Sequence, residues 1–167
     1  MSVSRPVLVV APPACAQELL LELAALGWQA CVADNLAVAA DQLRTRSFEV
    51  ALLVLDSSHP EAPQQFEACV SAAGDCEWVG VFPPGEGSHS AWREHILAHF
   101  FDHHTYPADL TFLCRSLGHA WGRAALRAKH RSDSQGGGEM GMVGQSPPLQ
   151  RLRAEVGKAG PSDAPVL

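Results

Sequence analysis

A short segment near the middle of the chain could carry acid–base chemistry. It reads Asp56-Ser57-Ser58-His59-Pro60, so a carboxylate and an imidazole lie three residues apart after an apolar run. A carboxylate that orients a histidine helps hydrolases to activate a serine nucleophile. Neither a G-x-S-x-G turn nor an oxyanion arrangement accompanies this pair. The segment therefore does not predict a hydrolase.

Four histidines form a second candidate group. His95 and His99 are one helical turn apart, so one helix face could present both to a metal ion. His103 and His104 follow closely. No cysteine is placed beside them, and the nearby carboxylates are not placed as convincing ligands. The sequence favours a surface cluster that could tune an interface when protonated, and it predicts no metal site.

The elements that must position these groups alternate regularly. Each of five apolar runs is followed by a stretch with helical spacing, which predicts an α/β fold with a parallel, doubly wound sheet. The predicted strands are Val7–Val10, Gln29–Ala33, Val50–Leu55, Trp78–Phe82 and Phe100–Phe101. The predicted helices are Ala14–Leu26, a helix capped by Asn35 and ending near Arg46, Gln64–Ala73, Ser90–Ala98, and a long one from about Asp109. In such sheets the functional crevice lies at the carboxyl ends of the strands.

Composition narrows the class of protein. Of 167 residues, 47% are hydrophobic and 18% are charged, which is typical of a globular domain. Five unpaired cysteines, with no signal peptide and no apolar run of about 20 residues, predict a cytoplasmic protein without a membrane partner. Residues 1–110 hold 14 acidic against 4 basic residues, whereas residues 111–167 hold 4 against 8. The acidic part is a poor match for nucleic acid, so we expect any DNA contact to be made outside this chain.

The strand ends resemble those of response-regulator receivers. The segment Phe101-Asp102-His103-His104-Thr105-Tyr106-Pro107 is similar to the FDYLPKP stretch of receivers joined to sigma-54 activators, and Asp56 to Pro60 fits their D-x-x-x-P. The resemblance implies strand order 2-1-3-4-5 and an extended last helix. It also implies that Asp56 is equivalent to the phosphoacceptor, that Tyr106 stands in place of the lysine, and that the Tyr106–Pro107 bond is cis.

Three parts of the receiver chemistry are replaced. Receivers hold Mg²⁺ with an acidic pair after the first strand, where this chain has Ala11 and Pro12. The lysine position holds Tyr106, and the threonine or serine position after the fourth strand holds Pro83. We therefore expect Asp56 to be vestigial and no cofactor, Mg²⁺ included, to bind.

The end of the chain resembles another module. Residues 141–152, GMVGQSPPLQRL, and residues 159–167, AGPSDAPVL, are similar to the opening of the sigma-54-interacting AAA+ domain. The sequence ends before the phosphate loop of that domain, so we expect this chain not to be an enzyme, although its parent would be an ATPase. The predicted organisation is a receiver-like domain over 1–131, a flexible linker over 132–141, and an incomplete AAA+ start over 142–167.

The long last helix carries apolar residues at spacings of three and four. We expect the early part of this seam to pack on the sheet and the later part, near Trp121 and Ala124, to pair in a homodimer. The residues of the seam are Leu110, Leu113, Leu117, Ala120 and Ala124.

The leading functional hypothesis is a non-catalytic signal-input and dimerisation module for an attached AAA+ transcription activator, acting without phosphorylation. Its partners would be a second copy, its own AAA+ domain and, through other domains, DNA and a sigma factor with RNA polymerase. Within the sigma-54 activators the sequence most resembles the VpsR-like branch, whose members regulate biofilm genes. Two alternatives stay open: an active two-component phospho-receiver that uses Asp56, and a small-molecule sensor, for example of cyclic di-GMP.

Overall fold

The computed structural model of the chain describes residues 5–55, 63–86 and 90–135. Along these residues, strands and helices alternate as the sequence predicts. The strands are β1 (Arg5–Val10), β2 (Trp28–Ala33), β3 (Val50–Val54), β4 (Glu77–Phe82) and β5 (Phe100–Thr105). The helices are α1 (Pro13–Ala25), α2 (Leu36–Thr45), α3 (Pro63–Ala73), α4 (Ser90–His99) and α5 (Leu110–Gln135).

The strands form one parallel sheet in the order β2-β1-β3-β4-β5. This confirms the predicted fold class and strand order. All residues of β3 and β4 are buried, as expected for inner strands that are covered on both faces. Within the described ranges, none of the helices combines the length and the apolar character that a membrane span needs.

The sheet separates two apolar layers of different composition. Helices α2, α3 and α4 cover a layer that contains a cluster of aromatic rings beneath α3 and α4, here called the aromatic layer. Helices α1 and α5 cover a layer built mainly from Val, Leu and Ala, here called the aliphatic layer. Along β4 the layers alternate, since Trp78 and Phe82 face the aromatic side and Val79 and Val81 face the other. Gly80 lies among the rings, where a Cβ atom would be 2.3 Å from Phe82 Cε2. The packing therefore requires glycine at this position.

Local signals account for the helix ends. Asn35 caps α2, because its Oδ1 accepts a hydrogen bond from the Val38 amide at 2.9 Å, which confirms the predicted cap. After α1, Gly27 adopts a positive φ of 81°, the conformation that glycine takes at low cost beyond a helix C-terminus.

Strand β5 is longer than predicted, and the expected end at Phe101 was wrong. It continues through Asp102, His103 and His104 to Thr105, with a register shift opposite Trp78 and Val79 of β4. The added residues are polar because β5 is an edge strand whose residues are only partly covered or exposed.

Helix α5 reaches Gln135 and so includes the first four residues of the predicted linker. The chain divides into two compact units, Met1–Arg127 and Ala128–Leu167. The remainder of the linker and the AAA+-like segment over 142–167 lie outside the described residues. The boundary after residue 131 stays a prediction.

Candidate functional site

The crevice at the carboxyl ends of the strands contains the positions at which receivers hold Mg²⁺ and a phosphoryl group. Ala11 and Pro12 follow β1, and both are buried. The Ala11 amide donates to the Ala33 carbonyl at 3.1 Å, so the chain continues in sheet-like pairing beyond β1. An alanine methyl and a proline ring supply no oxygen ligand for a hard cation. Asp56, the candidate phosphoacceptor, lies outside the described residues, as does His59.

The positions after β4 and β5 also differ from an active receiver. Pro83 is buried and directly follows β4, where it offers neither a hydroxyl nor an N–H group. Tyr106 directly follows β5, and its amide donates to the Phe82 carbonyl at 2.7 Å. Its phenol, 40% exposed, brings no ammonium group to the crevice. The Tyr106–Pro107 peptide bond is cis, the isomer that the sequence predicts.

Two small cavities open at this end of the sheet. The first, about 220 Å³, lies between α1 and the start of α5 and is lined in part by Cys15, Glu18 and Tyr106. The second, about 160 Å³, is lined in part by Pro12 and Asp34. Both are smaller than the roughly 300–1,000 Å³ of typical small-molecule sites. Their geometry does not by itself indicate a ligand.

Asp34 was missed by reasoning from the sequence. It follows β2, is exposed, and brings a carboxylate to the second cavity beside Pro12. Its signal was its place directly after a predicted strand, where the sequence reading considered only Asn35 as a helix cap. A single exposed carboxylate does not replace the acidic pair that receivers use.

A polar network joins β5 to α5. Ser116 Oγ donates to Asp102 Oδ2 at 2.5 Å, and His104 Nε2 lies 3.0 Å from the same hydroxyl oxygen. The hydroxyl of Ser116 thus donates to the carboxylate, whereas a nucleophilic serine donates its proton to the histidine. The network joins α5 to the edge strand.

The four histidines do not form one group. His95 and His99 stack on each other with centroids 6.1 Å apart, and both contact the ring of Phe66. His103 is exposed on β5, whereas His104 belongs to the Ser116 network. Among the described residues, no three His, Cys, Asp or Glu side chains are grouped so that they could hold a metal ion.

The helical seam faces the sheet of its own chain. Leu113, Leu117 and Ala120 belong to the aliphatic layer, and Leu110 packs against that layer. Ala124, chosen from the sequence as the partner-facing position, is only 6% exposed. Little of its surface is therefore left for a partner, and its role in a dimer contact stays a prediction. The spacing marks one buried stripe, and the sheet covers its first four positions.

Comparisons with known proteins agree with this architecture. The family model of the VpsR domain matches residues 1–118. No curated protein sequence matches the chain. Among solved structures, an adenylate cyclase from Rhodopirellula baltica superposes with a TM-score of 0.67 at 10% identity, covering 78% of this chain and 96% of that chain.

Two further solved structures superpose over three quarters or more of this chain. NtrX from Brucella abortus gives a TM-score of 0.67 at 15% identity over 97% of this chain and 36% of its own. A CheY-like receiver domain protein from Methanospirillum hungatei JF-1 gives 0.64 at 14% identity, over 75% and 99%. At these identities the likeness concerns the fold alone, and this chain spans about a third of NtrX.

Proposed function

Because residues 1–118 make the chain a member of the VpsR domain family, a receiver-type family of sigma-54 activators, we propose that it is a non-catalytic input module. It controls an attached AAA+ ATPase, and it does so without accepting a phosphoryl group. In this proposal the domain keeps the receiver fold as a scaffold for contacts but lacks the phosphoryl-transfer chemistry of receivers.

The observation that carries the proposal is the set of side chains at the strand ends. Phosphoryl transfer to an aspartate places negative charge on oxygen atoms, which a metal ion and a cation must stabilise. Here the residues after β1, β4 and β5 are Ala11, Pro12, Pro83 and Tyr106. None of the four supplies a carboxylate or an ammonium group. An aspartate at position 56 would therefore find neither a metal ligand nor a cation at these four positions.

Self-association is part of this proposal, although the seam from Leu110 to Ala124 offers a partner little exposed surface. Exposed apolar side chains on α4 and α5 offer other contacts: Leu97 is 77% exposed, Phe112 58% and Leu126 71%. Contacts to DNA, a sigma factor and RNA polymerase would be made by domains outside this chain. A cytoplasmic location belongs to the same proposal.

Phosphorylation can be tested directly by intact mass after incubation with a small phosphodonor and Mg²⁺. We expect no stoichiometric gain of a phosphoryl group, under conditions in which a receiver with a complete acidic pair, threonine and lysine is modified. A stoichiometric, Mg²⁺-dependent gain that disappears in the Asp56→Asn variant would overturn the proposal and favour an active phospho-receiver. Native mass spectrometry with cyclic di-GMP tests the sensing alternative on the same sample.

A further inference from the structure

Glu77 is a charged residue in the interior of the first unit. It begins β4, an inner strand of the sheet, and its side chain is 4% exposed. Its amide donates to the Glu49 carbonyl at 2.9 Å, which extends the pairing of β4 to the residue before the start of β3. It lies at the amino end of its strand, and therefore away from the crevice where receivers carry out phosphoryl transfer.

Two arginines of α5 approach this carboxylate. Arg127 Nη1 is 2.7 Å from Glu77 Oε1, and Arg123 Nε is 3.2 Å from the same oxygen. The arginines are four residues apart and thus lie on one helix face. The guanidinium carbon of Arg123 is also 5.3 Å from the centre of the Phe101 ring, so this arginine contacts β5 as well as β4.

The arrangement is asymmetric in exposure. The arginine side chains are 46% and 47% exposed, whereas the carboxylate is almost fully covered. Burying a carboxylate without cationic partners costs free energy of folding. Here the partners are two arginines at the end of the first unit, whose last residue is Arg127. Burial raises the pKa of the neighbouring Cys76 thiol, and the charges of Glu77 and Glu49 raise it further.

We propose that Glu77 is a positioning residue that holds the 120–127 segment of α5 on the sheet through Arg123 and Arg127; this contact is called the latch below. Loss of the one carboxylate charge loosens this segment of the helix while the sheet stays folded. The latch consists of contacts within this chain and does not rest on the proposed function.

Amide hydrogen exchange of the 167-residue chain tests the latch. In Glu77→Gln, we expect exchange in residues 120–127 to accelerate by about tenfold or more, with β1 and β3 still protected. Arg127→Gln should accelerate the same amides to a smaller extent, and Arg127→Lys, which keeps the charge, should restore part of the protection. Glu49→Gln is the matched control, because it removes an exposed carboxylate from the same region.

If Glu77→Gln fails to fold, the arginine variants still test the latch, because Arg123 and Arg127 are half-exposed and their substitution should leave the chain folded. Unchanged exchange of residues 120–127 in both Arg123→Gln and Arg127→Gln would overturn the latch. Equal acceleration in Glu49→Gln would also overturn it, since a general change of charge would then suffice. The phosphodonor experiment measures the mass of the chain and not amide exchange, so the proposed function and the latch can each fail without the other.

Discussion

Gly80→Ala should destabilise the domain far more than a glycine-to-alanine change usually does. A Cβ atom at this position would lie 2.3 Å from Phe82 Cε2 and 2.9 Å from Phe100 Cε1, whereas carbon atoms pack best at about 3.5–4.0 Å. The Phe82 ring would therefore have to move by about 1 Å or more. It has little room, because the rings of Trp92 and Phe100 have their centres 5.4 and 5.5 Å away.

Overpacking of a filled core costs about 1–3 kcal/mol, and the enclosed ring places this site near the upper end. We expect Gly80→Ala to lower the free energy of unfolding by about 2–3 kcal/mol and the Tm by roughly 10 °C. Urea unfolding followed by circular dichroism measures the first quantity. Phe82→Leu in the Gly80→Ala background should recover part of the loss, with a coupling of about 0.5–3 kcal/mol.

Gly122→Ala provides the matched control for Gly80→Ala. Gly122 lies within α5, and no atom is found within 4 Å of the Cβ position. Alanine there should be neutral or stabilising by up to about 1 kcal/mol. The reasoning fails if Gly80→Ala stays within about 0.5 kcal/mol of the unmodified chain, or if Phe82→Leu shows no coupling with it.

Two further outcomes follow from burial. Ala124→Glu should destabilise the fold by about 3 kcal/mol or more, whereas Leu126→Glu, at a position 71% exposed, should change stability by less than about 0.5 kcal/mol. Urea unfolding separates the two variants, and equal stability would refute the packing of the seam on the sheet. Cys76 and Cys31 are both partly exposed. Cys76 should nevertheless be alkylated much more slowly at about pH 7–9, since desolvation and the charges of Glu77 and Glu49 raise the pKa of its thiol above the ordinary value of 9.0. The stability that depends on this neutral thiol is present below pH 9.0 and is lost as the pH rises above it; peptide mapping that finds Cys76 modified as fast as Cys31 would contradict the assignment.

The parallel sheet could be predicted because each inner strand is a short apolar run followed by a helical stretch. The order of its strands was implied only by the resemblance to receivers. β5 was harder, because His103, His104 and Thr105 do not form an apolar run. Edge strands keep part of their surface in water, so hydropathy underestimates their length. The pairing with β4 extends β5 beyond the residues that its hydropathy marks.

The seam shows what spacing can and cannot decide. A repeat of three and four identifies the buried stripe of a helix, but it does not identify the surface that covers it. For Leu117 and Ala120 that surface is the sheet of the same chain. Only the three-dimensional position of α5 distinguishes this packing from a contact between two copies.

The latch was missed for a related reason. Glu77 stands beside an apolar run, and nothing in its neighbours along the sequence suggests that the carboxylate is covered. Arg123 and Arg127, four residues apart on one helix, are the available signal. Their partner is separated from them by about fifty positions, and folding brings the three together.

The two layers of the core should accept mutations at different rates over evolutionary time. In the aromatic layer, Phe66 contacts both Trp78 and Phe100, at centroid distances of 4.9 and 5.0 Å. A change in one ring leaves a void or a clash for several others at once. A substitution there must therefore be accompanied by matching substitutions in the neighbouring rings. In the aliphatic layer, Val, Leu and Ala can be exchanged with small adjustments of volume. Descendants of this chain should therefore diverge first beneath α1 and α5, while the ring sizes beneath α3 and α4 persist.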